Sequence, residues 1–272
     1  MSSREFFFLP VGAGQRFCIF HPPQASVERG AVLYLHPFAE EMNKSRRMAA
    51  LQSRALAAAG YGVLQIDLLG CGDSSGDFGD ATWEDWKEDV VHAVAWLRDQ
   101  TSAPLTLWGL RIGCLLAADV AVDLAERPNF LFWQPVLSGK QYWQQFMRLK
   151  MVSEVISGDP KGAIEELRQQ LAAGNAVEVA GYVISPILAE GLAKVELDLP
   201  VGNMGQVSWL EISTREGGGL ALVSQKRIEQ WQLAGFKVNA KVVRSPAFWQ
   251  TNEIEDAPEL IAVTTRALES LQ

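Results

Sequence analysis

The chain has 272 residues, 48% of them hydrophobic and 21% charged, which suits one large globular α/β domain. A net charge of −8 argues against a nucleic-acid partner, and the basic run "KSRR" at Lys44–Arg47 is too short to change that. No apolar run reaches the ~18–20 residues of a membrane span, the N-terminus lacks the apolar core of a signal peptide, and Cys18, Cys71 and Cys114 are too few for a disulfide framework or a zinc site. A cytoplasmic protein without metal or cofactor is expected.

In chain order, "EFFFLPV" and "QRFCIFH" read as a hairpin split at Gly12 and Gly14. "AVLYLHPF" (31–38) is a continuous apolar run, as a strand buried on both faces requires. "RRMAALQSRALAAAG" has helical composition and stops at Gly60. The strand "GVLQIDLLG" follows, then a helix that opens on Thr82 with acidic residues in its first turns, as the helix dipole favours. "PLTLWG", "IGCLLAADVAVDLAER" and "NFLFWQPV" repeat the strand–helix–strand pattern.

Alternation at this spacing predicts a mostly parallel sheet with helices on both faces. The rhythm breaks at about residues 138–200. There the amphipathic runs "QYWQQFMRLKMV" and "PKGAIEELRQQLAAG", followed by "EVAGYVISPILAEGLAKV", read as a helical lid inserted into a single domain spanning 1–272. The α/β rhythm resumes with "QVSWLEIST", a helix in "LALVSQKRIEQWQLAG", the strand "FKVNAKVVRS" and a last helix in "APELIAVTTRALESL".

"LTLWGLRIGCLLAADVA" (105–121) has the form of a nucleophile elbow: buried strand, tight turn between Gly109 and Gly113, apolar helix. Together with "LYLHPF", "DLLGCGDSSG" and an insertion after the next strand, it makes the chain resemble a capped α/β-hydrolase of the esterase and serine-aminopeptidase branch. In that fold the triad order is Ser, acid, His. Here Arg111 stands at the elbow apex, and a guanidinium, always protonated, is no nucleophile. The acid position falls on Glu216 in "STREGGG", and the segment after the last strand, "VVRSPAFWQTNEIED", has no histidine. Serine-type acyl transfer is therefore not expected.

The double absence, with "HPFAEEMNKSRR", "WGLRIG" and "PAFWQTNEIED", resembles the second type of exosortase A system-associated hydrolase. That resemblance implies a hydrolase by fold that accompanies exopolysaccharide production and protein sorting in Gram-negative bacteria.

Arg111 has two readings. A cation at a helix N-terminus is disfavoured by about 0.3–1 kcal/mol, so it needs a carboxylate or an anionic ligand. Glu40, Glu41 or Glu216 would plug the site with an ion pair. Alternatively, Arg111 with the amides of Ile112 and Phe38, beside Glu40, Glu41 and Trp249, would hold a small anion in an inherited pocket.

The remaining candidates lean toward structure. His36 reads as ordering its turn, because no acid partner is identifiable. Cys71 and Cys114 lack a placed base and read as buried thiols. Ser74 and Ser75 read as bonding their own loop, and Trp83 and Trp86 as core. Tyr142, Trp143 and Phe146 offer an apolar face to a ligand or to a second copy in a homodimer.

Overall fold

Two strands, β1 (Glu5–Val11) and β2 (Gly14–His21), open the chain as the expected antiparallel hairpin. The computed structural model describes residues 4–154, 160–200 and 205–270. The expected lid runs through residues 155–159, which lie outside the described residues.

After the hairpin come β3 (Gly30–Leu35), α1 (Glu40–Ala58), β4 (Tyr61–Ile66), α2 (Trp83–Gln100), β5 (Leu105–Leu110), α3 (Ile112–Val120) and β6 (Asn129–Trp133). The insertion holds α4 (Gly139–Glu154), α5 (Pro160–Ala172), a small hairpin of β7 (Val177–Val179) and β8 (Tyr182–Ile184), and α6 (Pro186–Lys194). β9 (Gln206–Ser213), α7 (Leu222–Leu233), β10 (Lys237–Arg244) and α8 (Pro258–Glu269) complete the fold. The large sheet has the order β1-β2-β4-β3-β5-β6-β9-β10, with β4 to β10 parallel and β1 and β2 antiparallel. This is the α/β-hydrolase fold.

The unbroken apolar strands follow from burial on both faces. Along β3, Leu33 and Leu35 join a core with α2, α3, α7 and the insertion, while Val32 and Tyr34 join a second core with α1 and α8. The start of α2 is set by a capping box: Thr82 Oγ1 accepts from the Asp85 N–H at 3.1 Å, and the Asp85 carboxylate accepts from the Thr82 N–H at 2.9 Å.

Several elements depart from the sequence reading: α3 ends at Val120 and does not run through "IGCLLAADVAVDLAER", and the lid expected to be helical contains the β7–β8 hairpin. The helix expected from Arg46 begins at Glu40, so Glu40 and Glu41 form its first turn instead of a preceding loop. Its N-terminal half buries Met42, Ser45 and Ala49, a helical spacing hidden within a polar stretch. Tyr142, Trp143 and Phe146 are buried, so the apolar face offered to a partner is used within the chain: Phe38 meets Tyr142 and Phe146 edge-on at 6.0 and 5.0 Å between ring centres.

The insertion is fastened at its base. Ser138 and Glu196 form an antiparallel bridge, the Ser138 hydroxyl donates to Glu196 Oε1 at 2.7 Å, and the Gly139 N–H donates to the Val195 carbonyl at 2.8 Å. No helix among the described residues is long and apolar enough to cross a membrane.

Candidate functional site

The site lies where the parallel strands end. Three non-glycine residues with positive φ cluster at the carboxyl ends of neighbouring strands: Ala39 beyond β3 at 52°, Arg111 after β5 at 57°, and Gln134 after β6 at 44°. Such strain persists only where the surroundings impose it, and it gathers at functional sites. The glycines that flank Arg111 explain the turn. A Cβ on Gly109 would lie 2.5 Å from the Cys114 nitrogen, and one on Gly113 would lie 2.2 Å from the Leu35 carbonyl oxygen.

Arg111 begins α3, donates its N–H to the Trp133 carbonyl at 3.0 Å, and sends its side chain between three segments. Its Nε lies 3.4 Å from Glu41 Oε1. Its guanidinium carbon sits 5.6 Å from the centre of the Tyr142 ring and 5.7 Å from that of Trp249, within cation–π range. Tyr142 closes the arrangement by donating its hydroxyl to Glu41 Oε2 at 3.1 Å. Burial pushes the Glu41 carboxyl above its usual range, while Arg111 and the Tyr142 hydroxyl pull it back. Burial, then the Glu41 charge, likewise drives the Tyr142 hydroxyl upward.

Trp249 belongs to the loop after β10, where the chain order of the fold calls for a histidine. None of the three histidines bonds to Arg111. His36 Nδ1 bonds the Pro37 carbonyl at 2.8 Å and its Nε2 accepts from the Leu68 N–H at 3.3 Å, so the ring is neutral and spoken for. Burial holds its pKa down. His21 lies in β2 and His92 in α2. Burial raises all three thiols, Cys18 to about 12, and Cys71 and Cys114 well above their ordinary values. Cys114 donates to the Trp133 carbonyl at 3.7 Å, and Cys71 lines a separate hollow of about 260 Å³ with Phe78 and Tyr182. Thiols so protonated are not nucleophiles.

The other expected pocket residues scatter. Glu216 is exposed, 3.8 Å from Arg244, and is not among the residues that line the cleft at Arg111. Glu40 accepts from Asn43 and from the Tyr182 hydroxyl, both at 3.3 Å. Phe38 and Ile112 are buried. Glu41 and Trp249 touch the Arg111 side chain but do not line the cleft beside it.

That cleft, about 470 Å³, has Arg111, Gln134 and Glu211 along its floor. One wall is the start of the insertion, with Ser138, Gln141, Tyr142 and Gln145. The other is α7, with Ser224, Arg227 and Gln230. Glu211 is buried and already engaged: it accepts from Trp209 Nε1 at 3.2 Å and from the Ala221 N–H at 3.0 Å, capping α7. Arg111 Nη1 and Nη2 have no hydrogen-bond partner among the described residues. Of the cleft walls, sequence reasoning named Tyr142 alone; a further available signal was Glu211, a lone acid inside the apolar strand "QVSWLEIS".

No curated protein matches the chain by sequence. Solved structures do resemble it in fold. Est1E from Butyrivibrio proteoclasticus with bound ferulic acid shares 13% identity at a TM-score of 0.67, covering 97% of this chain and 96% of its own. A carboxyl esterase from Bacillus coagulans in complex with glycerol shares 12% at 0.66, over 100% and 99%. A soluble variant of monoglyceride lipase from Saccharomyces cerevisiae shares 14% at 0.64, over 100% and 96%. The family model described as serine aminopeptidase, S33, matches residues 26–179, which take in the elbow and the strained turn at Ala39. The chain belongs to that hydrolase family.

Proposed function

We propose that this family member does not run serine-type acyl transfer and instead uses the elbow to hold a small anionic ligand. The observation that carries the reading is the division of labour within Arg111. Its Nε and the faces of its guanidinium plane are committed to Glu41, Tyr142 and Trp249, while its Nη groups have no hydrogen-bond partner among the described residues where the side chain lines the cleft. A guanidinium held in place on one side offers a preformed fork to a carboxylate or phosphate on the other. Glu41 offsets only part of that charge, because its contact is single and 3.4 Å long. The residues that resemble the second type of exosortase A system-associated hydrolase support placing this binding role beside exopolysaccharide production and protein sorting.

Acetate and phosphate are the first probes. Each is expected to raise the melting temperature of the wild-type protein by mass action on the folded state. Arg111→Lys keeps the charge but loses the fork, and is expected to lose most of that rise. Equal stabilisation of both proteins would overturn the reading. So would Arg111-dependent hydrolysis of activated acyl esters, which calls for a catalytic base that this geometry does not supply.

A further inference from the structure

We infer that the ligand is a polyhydroxylated acid, a sugar ring bearing a carboxylate of the uronic-acid class. The inference rests on the anion reading above and deepens it. Four glutamines line the cleft with Arg111, and their placement is ordered. Gln141 and Gln145 are four apart on α4, so they project from one face of that helix. Gln230 lies on α7, which forms the opposite wall. Gln134 is fixed most firmly: its backbone is held at a φ of 44°, its N–H donates to the Leu210 carbonyl at 2.8 Å, and its Oε1 accepts from the Ile212 N–H at 2.6 Å. That last bond assigns the amide, leaving Nε2 as a donor with no partner among the described residues.

The inventory selects a ligand. Arg111, Gln134, Lys226 and Arg227 donate, Arg227 being already paired with Asp198 at 3.2 Å. Glu196, whose Oε1 accepts from Ser138, keeps Oε2 as an acceptor, and the Gln141, Gln145 and Gln230 side chains both donate and accept without a partner among the described residues. A ring of hydroxyls, each able to donate and accept, matches such a lining. An acyl chain would contact Pro135, Val136, Leu137 and Val223 but would cover the Gln134 amide and the Arg111 fork without pairing them, which is costly. Acetate would satisfy Arg111 alone and leave the glutamines to water.

The test is calorimetric binding of D-glucuronate, acetate and D-glucose to the full chain. Glucuronate is expected to bind more tightly than either of the others by about tenfold or more, the equivalent of one well-made hydrogen bond to a charged group. The double variant Gln145→Leu/Gln230→Leu, its folding checked by melting temperature, is expected to bring glucuronate down to the level of acetate. Glucuronate no better than acetate would overturn the polyol inference and leave the anion reading standing. Glucose equal to glucuronate would show that the carboxylate is not read, and would overturn both. Binding of none of the three would also overturn both.

Discussion

Glu41 and Arg111, seventy positions apart in the chain, meet through Nε and Oε1 at 3.4 Å with their side chains 17% and 14% exposed. Each stands at the start of a helix, α1 and α3, and each follows or occupies a strained turn, Ala39 and Arg111. The acid suits the positive end of α1, whereas the arginine opposes the positive end of α3. The pair therefore lets Arg111 occupy a position its own helix disfavours.

Removing the carboxylate should expose that mismatch. Glu41→Ala is expected to lower stability by roughly 1–3 kcal/mol, below the 3–5 kcal/mol of a fully buried pair because both groups keep some solvent. Tyr142 loses its acceptor in the same variant. Urea unfolding followed by tryptophan fluorescence measures it, and a loss under about 0.5 kcal/mol would show that the contact is a screened surface pair.

Arg111→Ser recreates the sequence of a working elbow without its chemistry. No imidazole stands beside position 111, and Trp249 fills the ground where one would sit. A serine there has no base to take its proton. Hydrolysis of p-nitrophenyl acetate by this variant is expected to equal that of the unsubstituted chain; clear turnover would reveal an unrecognised base.

The Arg16–Asp89 pair holds β2 against α2. Arg16 Nε lies 2.6 Å from Asp89 Oδ1, and Asp89 Oδ2 accepts from the Leu69 N–H at 2.7 Å, with both side chains buried. Arg16→Ala strands the carboxylate and is expected to cost about 3–5 kcal/mol. Burial already raises Asp89 to about 6, and without arginine it should hold its proton more firmly still. The variant's deficit should therefore be larger at pH 8 than at pH 5, as denaturant midpoints at the two pH values can show.

His21 gives a separate pH signature. Burial, with the charges of Arg4 and Arg54, lowers its pKa to about 4, and its Nε2 accepts from Gln65 Nε2 at 3.1 Å. Below its ordinary value of 6.5 the unfolded chain takes up a proton that the folded chain refuses, so stability falls as pH drops from 6.5 toward 4. Asp89 acts with the opposite sign between 3.8 and about 6, so the wild-type curve mixes the two. His21→Gln keeps a partner for Gln65 and leaves Asp89 in place. Its deficit relative to wild type is expected to shrink by up to ~1.4 kcal/mol per pH unit on acidification. A constant difference from pH 7 to 4.5 would show that His21 titrates normally.

The parts of this molecule legible in its sequence are those set by local periodicity. The apolar runs of β3 and β5, the Thr82 cap and the Gly109–Gly113 elbow each state their role within a few residues. That arginine stands at the elbow apex and that no histidine follows the last strand is read from chain order alone. The start of α1 was not, because its buried positions are spaced through charged residues and its N-terminus follows the strained Ala39, a non-glycine residue that signals no turn. Glu216 was placed by chain order, but its side chain turns outward to Arg244. The cleft escaped notice because its floor and walls come from residues 111–145 and 196–230, which the pairing of β6 with β9 and the Ser138–Glu196 bridge bring side by side.

A serine at the elbow would touch little beyond its base; Arg111 instead reaches Glu41 on α1, Tyr142 on α4 and Trp249 beyond β10. One side chain thus ties together three segments remote in sequence. The first turn of α4 and the loop after β10 become one cooperative unit with the start of α1, and amide hydrogens in all three should exchange at a common rate. Cutting that tie leaves the insertion held by its base and by Phe38 against Tyr142 and Phe146, so the charge at the apex adds rigidity to the wall of the cleft that α4 supplies.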